Sequence, residues 1–252
     1  MRLESGPAAY DRNYNLVVML LGLSLGGYFY YDHIIGYPHK NHEAAVRHLT
    51  PLIGAERIPE KLPEIPSEDE YKAWAATEPS KVENIPAAWG QPLFESPEAG
   101  GVLKCYASAY GMVRVPIIGN YVDFKKAAWV TWEKSKDDIQ MQLYCAIAGL
   151  VFGLFFLWRG IKAASLKVII DEEGLKYGGR RVAFAEMTKL TNYSKKGWVD
   201  LFYNQGGPER KIRFDNQKVR KFDEIIDALC SAKGFADPRK AVENEDRDDE
   251  KK

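Results

Sequence analysis

The chain has 252 residues, 46% hydrophobic and 28% charged, with Lys+Arg and Asp+Glu equal at 35 each. That balance excludes steering of nucleic acid by the whole molecule. Three cysteines, few and odd in number, exclude a disulfide framework.

Residues 1–12 read as a short N-terminal tail. Residues 13–31 (NYNLVVMLLGLSLGGYFYY) then contain no charged residue and no histidine. About 20 largely apolar residues suffice to cross a hydrocarbon core of roughly 30 Å, so a first transmembrane helix is expected over 13–36. YFYYDHIIG offers no small-residue cleavage site, which favours an anchor over a removed signal. Tyr10, Tyr14, Tyr28, Tyr30 and Tyr31 sit where interfacial aromatics belong.

Most of the chain's 13 prolines fall in the next stretch, expected to be an extracytoplasmic segment over 37–123 with short helices and strands. SEDEYKAWAA (67–76) reads as a helix, and GVLKCYASAYGMVRVPIIG (101–119) as its most strand-like part. All four histidines, His33, His39, His42 and His48, lie within 16 residues. Helical spacing puts His39 and His42 on one face, which makes them the candidates for a metal pair. His48 falls off that face, and no HExxH spacing is present. A solvated or interfacial histidine cluster is the expected outcome.

A single long helix is expected over 124–165, containing a second transmembrane segment at 139–158 (IQMQLYCAIAGLVFGLFFLW), again without charge. Trp132 and Trp158 bracket it, and Arg159 and Lys162 follow. Each uncharged stretch holds a small-xxx-small pair, Gly22 with Gly26 and Gly149 with Gly153, residues that let helix backbones approach closely. An antiparallel hairpin would displace the two pairs by about 7 Å at 1.5 Å per residue. Parallel contacts between two copies would align them, which favours a homodimer. Two spans place both termini on one side, taken as cytoplasmic.

From Leu166 the pattern turns to short strands with tight turns: LKVIID, LKYG, RRVAF, EMTKLTNY, WVDLFYN and KIRFD. An amphipathic helix follows, with Val219, Phe222, Ile225, Ile226 and Leu229 at helical spacing and Gly234 as its stop signal. The order IIDEEGLKYGG–RRVAFAEMTKL–NYSKKGWVDLFY–ERKIRFD–helix resembles bacterial pleckstrin-homology-like (PH-like) domains. Those share a D/E-x-x-G-L start, an aromatic-x-acid turn (here Phe184-Ala185-Glu186) and a closing helix. The likeness covers residues 166–236. It implies a small β-barrel or sheet closed by one helix that binds proteins or a membrane surface. The count of five or six strands falls short of the seven of a complete PH barrel. Arg180, Arg181, Lys195 and Lys196 in two turns are the candidates for contact with a partner or with anionic headgroups. Residues 237–252 read as a disordered, mixed-charge tail.

The expected fold is thus an α+β membrane protein with two transmembrane helices, a proline-rich middle and a C-terminal PH-like domain. The leading functional reading is a non-enzymatic scaffold or recruitment protein in the bacterial inner membrane. Its partners would be the lipid bilayer and an unidentified protein, with no cofactor and no nucleic acid. The alternative is a small subunit of a larger membrane complex. A third reading is a metal-dependent protein using the His33–His48 region.

Overall fold

The computed structural model describes residues 2–78, 80–98, 100–194 and 196–240. The chain opens with β1 (Leu3–Ser5), α1 (Ala9–Tyr31), α2 (Tyr37–Ile53) and α3 (Glu68–Ala76). Strands β2 (Phe94–Glu98), β3 (Gly101–Ala107), β4 (Gly111–Ile118), β5 (Tyr121–Val122) and β6 (Ala128–Thr131) precede α4 (Lys136–Ala164). Then come β7 (Val168–Asp171), β8 (Gly174–Tyr177), β9 (Arg180–Ala183), β10 (Met187–Ser194), β11 (Trp198–Tyr203), β12 (Arg210–Asp215) and α5 (Phe222–Lys233). These elements form two compact units, residues 24–150 and residues 1–23 with 151–252.

In the unit 24–150, an antiparallel sheet runs β2-β3-β4-β5, with β6 also paired to β4. Strand alternation gives this sheet two apolar faces. Leu103, Cys105, Ala107 and Met112 point to one side, where Ala44, Ala45 and Leu49 of α2 cover them with Trp132. Val113, Val115 and Ile117 point to the other side, against Trp74 of α3, Trp89 and Tyr106. α3 starts where Ser67 and Glu70 form a reciprocal capping box, satisfying two of the donors that a helix start leaves free. Asn41, buried on α2, donates to the carbonyls of Ala109 (3.0 Å) and Lys134 (2.7 Å) and accepts from the Lys134 N–H (2.8 Å). A buried amide so fully bonded fixes α2 at one register on the sheet.

The other unit has a four-stranded sheet, β1-β7-β8-β9, and a three-stranded one, β10-β11-β12. One core of Val168, Leu175, Val182, Val199, Leu201, Tyr203 and Phe214 is shared with Ile225, Ile226 and Leu229 of α5. Gly178 and Gly179, at φ +55° and +85°, make the two-residue β8–β9 hairpin, which requires positive φ at both positions. The Phe184-Ala185-Glu186 turn is held by Glu186, whose carboxylate accepts from the Ala183 N–H (2.9 Å) and from Gln205 (2.9 Å).

Several expectations are corrected. Among the described residues one helix, α4, is long and apolar enough to cross a membrane, so two transmembrane helices are not shown. α1 is uncharged over 13–31, but its asparagines, tyrosines and glycines lower its mean hydropathy. It runs through a π-helical turn, Asp32–Gly36, into α2. Residues 124–165 are not one helix: Ala128–Thr131 pairs with β4, and α4 begins at Lys136. Residues 1–12 are not a tail, because β1 pairs with β7, the Ala8 N–H donates to the Lys218 carbonyl, and α1 begins at Ala9. Arg239, assigned to the disordered tail, ion-pairs with Asp223, Asp227 and Asp237; residues 241–252 lie outside the described residues.

Candidate functional site

The paired glycines meet within the chain. A Cβ on Gly22 would stand 3.0 Å from the Gly153 nitrogen and 2.9 Å from the Phe152 ring. A Cβ on Gly26 would stand 3.1 Å from both the Ala146 carbonyl and the Leu150 nitrogen, and 3.3 Å from the Gly149 carbonyl carbon. These glycines are the condition for α1 to lie against α4 at backbone distance. The antiparallel offset expected from the sequence is absorbed because Gly22 faces Gly153 and Gly26 faces Gly149. The faces assigned to a second copy are occupied in cis.

The histidines separate. His33 Nδ1 lies 2.9 Å from the Ile139 carbonyl, and His42 Nε2 lies 3.2 Å from the Pro59 carbonyl. His39 pairs with Glu43 at 3.2 Å, and His48 stacks on Trp132. His39 and His42 are thus engaged with different groups. Among the described residues no cluster of three or more His, Cys, Asp or Glu could hold a metal.

Among the cavities of the unit 24–150 are two beside histidines. One, about 380 Å³, is lined by His33, Pro38, His42, Leu62, Tyr110 and Ile139. The other, about 390 Å³, has Leu103, Cys105, Met112 and Trp132 at its floor, with His48 and Arg114 beside them. Burial pushes the Cys105 thiol up to about 11, against a smaller opposing pull from Arg114. A thiol so raised is protonated at neutral pH and is no nucleophile.

The basic turns differ from one another. Arg181 is neutralised by Asp171 (2.8 Å) and Glu173 (2.7 Å), and Arg180 donates to the Tyr203 hydroxyl at 3.2 Å. Lys196 is exposed in the β10–β11 turn, and Lys195 lies outside the described residues.

A more organised group was missed from the sequence. Asp200 projects from the outer face of β11, yet is 2% exposed. Its carboxylate accepts from Arg213 Nε (2.7 Å) and Nη2 (3.0 Å) and from Lys211 Nζ (3.3 Å). The Arg213 fork, then burial acting in the opposite sense, then Lys211 set its titration, and the net effect holds it below the usual carboxylate range. Arg213 also lies over the Trp198 ring (4.9 Å), and Lys189 over Phe202 (4.5 Å). Alternation in WVDLFY was the available signal. It puts Trp198, Asp200 and Phe202 on the face opposite Val199, Leu201 and Tyr203.

No protein-family model, curated protein or solved structure matches this chain.

Proposed function

We propose that this chain is a non-enzymatic, membrane-anchored recruitment protein whose C-terminal domain is a PH-like binding module. The observation that carries the proposal is the surface of α4. Over 29 residues it leaves Met141, Tyr144, Ile147, Val151, Phe155 and Ile161 exposed, and only 11% of its apolar stretch is buried. An apolar surface of that size left uncovered by its own chain calls for lipid or a partner. Trp158 and Lys162, whose ammonium lies 3.8 Å from the ring centroid, give α4 the aromatic–cation end that suits a headgroup layer.

The PH-like reading draws support from strand count. β1 adds a seventh strand to the six of the C-terminal region, giving sheets of four and three, and α5 closes them. The two sheets offer edges and faces for binding.

The test is a cross-linked pull-down of the tagged full chain from native membranes, after extraction with alkaline carbonate. The proposal expects the chain to stay in the carbonate-resistant pellet and to bring down a defined partner set that is lost when 166–240 is deleted. Release by carbonate would end the anchor reading. An unchanged partner set after the deletion would end the recruitment reading.

A further inference from the structure

The outer face of the β10-β11-β12 sheet is built as rows. Lys189, Phe202 and Lys211 are direct cross-strand neighbours, as are Thr191, Asp200 and Arg213, and Trp198 lies opposite Asp215. Leu190, Leu201 and Ile212 in the same strands face the core, so these rows face outward. Two aromatic rings therefore stand on an open sheet, each with a cation laid over it.

Charge is concentrated here. Residues 166–235 contain 14 Lys and Arg against 10 Asp and Glu, and residues 187–218 contain seven against three. The whole basic excess of the C-terminal region thus falls in this sheet and its turns. The acids of the face are engaged: Asp200 lies beneath Arg213 and Lys211, Asp215 accepts from the Gln217 N–H, and Glu209 accepts from Thr188 and lies 3.7 Å from Lys189. Asp200 holds two cations at fixed positions while their side chains stay about half exposed. Fixing long side chains in advance reduces the entropy lost when they meet a ligand.

We propose that this face docks on an anionic bilayer surface, with Trp198 and Phe202 at headgroup level and Lys189, Lys211 and Arg213 on lipid phosphates. The proposal rests on the membrane-anchor reading, which keeps a bilayer within reach of the domain. The chemistry is that of the C-terminal end of α4, where Lys162 caps Trp158. Rings with an apolar body and cations on long stems favour that layer, and each Lys or Arg near an anionic surface adds to the attraction.

The test uses the full chain in lipid nanodiscs, with amine footprinting read by mass spectrometry. Retention in nanodiscs at any lipid charge reports the anchor, independently of the footprint. The proposal expects labelling of Lys189 and Lys211 to fall several-fold when phosphatidylcholine is replaced in part by phosphatidylglycerol. Exposed Lys176 on β8 should be unaffected, and half-molar salt should restore labelling. Lys211→Gln should weaken the protection of Lys189. Equal labelling in both lipids overturns the proposal, as does protection that appears only on adding an acidic polypeptide such as polyglutamate, which would make the face a protein-docking surface.

Discussion

At Asp200, one carboxylate meets a guanidinium fork and an ammonium while almost wholly withdrawn from water. Both cations remain about half exposed, so solvent screening discounts the pair. Asp200→Asn should therefore lower stability by only about 1–2 kcal/mol near neutral pH. The sign with pH follows from the depressed titration. Stability from Asp200 is present above the unfolded value of about 3.9 and is lost as pH falls through the lower folded value. Urea unfolding of wild type and variant should thus differ near neutrality and converge in strong acid; a difference that grows in acid would contradict the pairing. A second position isolates steric fit. Gly26 is buried against α4, while a Cβ on its neighbour Gly27 would meet nothing within 4 Å. Gly26→Leu should cost about 1–3 kcal/mol by overpacking, and Gly27→Leu should be nearly neutral. Thermal melts in one detergent compare them directly, and equal losses would rule out the close helix approach.

The N-terminal segment acts on the C-terminal domain as a strand. β1 pairs with β7 through Leu3–Ser5, and the next residues bond to the segment between β12 and α5. Gly6 accepts from the Arg220 N–H (3.1 Å), Ala8 donates to the Lys218 carbonyl (2.9 Å), and Ser5 Oγ accepts from the Lys221 N–H (3.1 Å). One short segment thereby serves the edge of one sheet and the exit of the other. A fragment limited to 166–240 leaves the β7 edge and those amides open. At about 1 kcal/mol for each bond, it should lose a few kcal/mol. Prefixing residues 2–8 should restore a sharper and higher melt, and identical melts with and without them would mean that β1 contributes nothing. The strands from 166 onward were legible because turns and alternation are local signals. β1 was not, since three residues at the other end of the sequence carry no period, and only the sheet supplies a reason for them to be extended. The same limit hid β6: AWVT, which contains Trp129 and precedes Trp132, continues a helical pattern as readily as a strand, and pairing with β4 decides it.

On the scale of the whole molecule, lack of charge and apolarity are different properties. The stretches at 13–31 and 139–158 both lack Asp, Glu, Lys, Arg and His, yet of the two only the helix holding the second is long and apolar enough to cross a bilayer. Asn13, Asn15 and the tyrosines of α1 are uncharged but costly to strip of water, and Asn15 is buried with its side-chain amide donating to the Asp11 carbonyl. The argument that placed both termini on one side depended on two spans and no longer follows. Of the candidate site, the glycine spacing was legible because it is a local motif, although its antiparallel use was not. The Asp200 cluster was half legible, since alternation exposes Asp200 but gives no sign that Lys211 and Arg213 cover it. The proposed membrane association then depends on α4, and charge near its middle tests that dependence. Leu150 lies near the midpoint of α4 and is half exposed. An Arg at a helix centre costs about 2.5–3.5 kcal/mol of insertion free energy. Leu150→Arg should shift the chain out of the carbonate-resistant fraction by about two orders of magnitude in partition, whereas Leu52→Arg, similarly exposed but on α2, should leave partition unchanged. If both variants stay in the pellet, or both leave it, α4 is not what holds this chain to the bilayer.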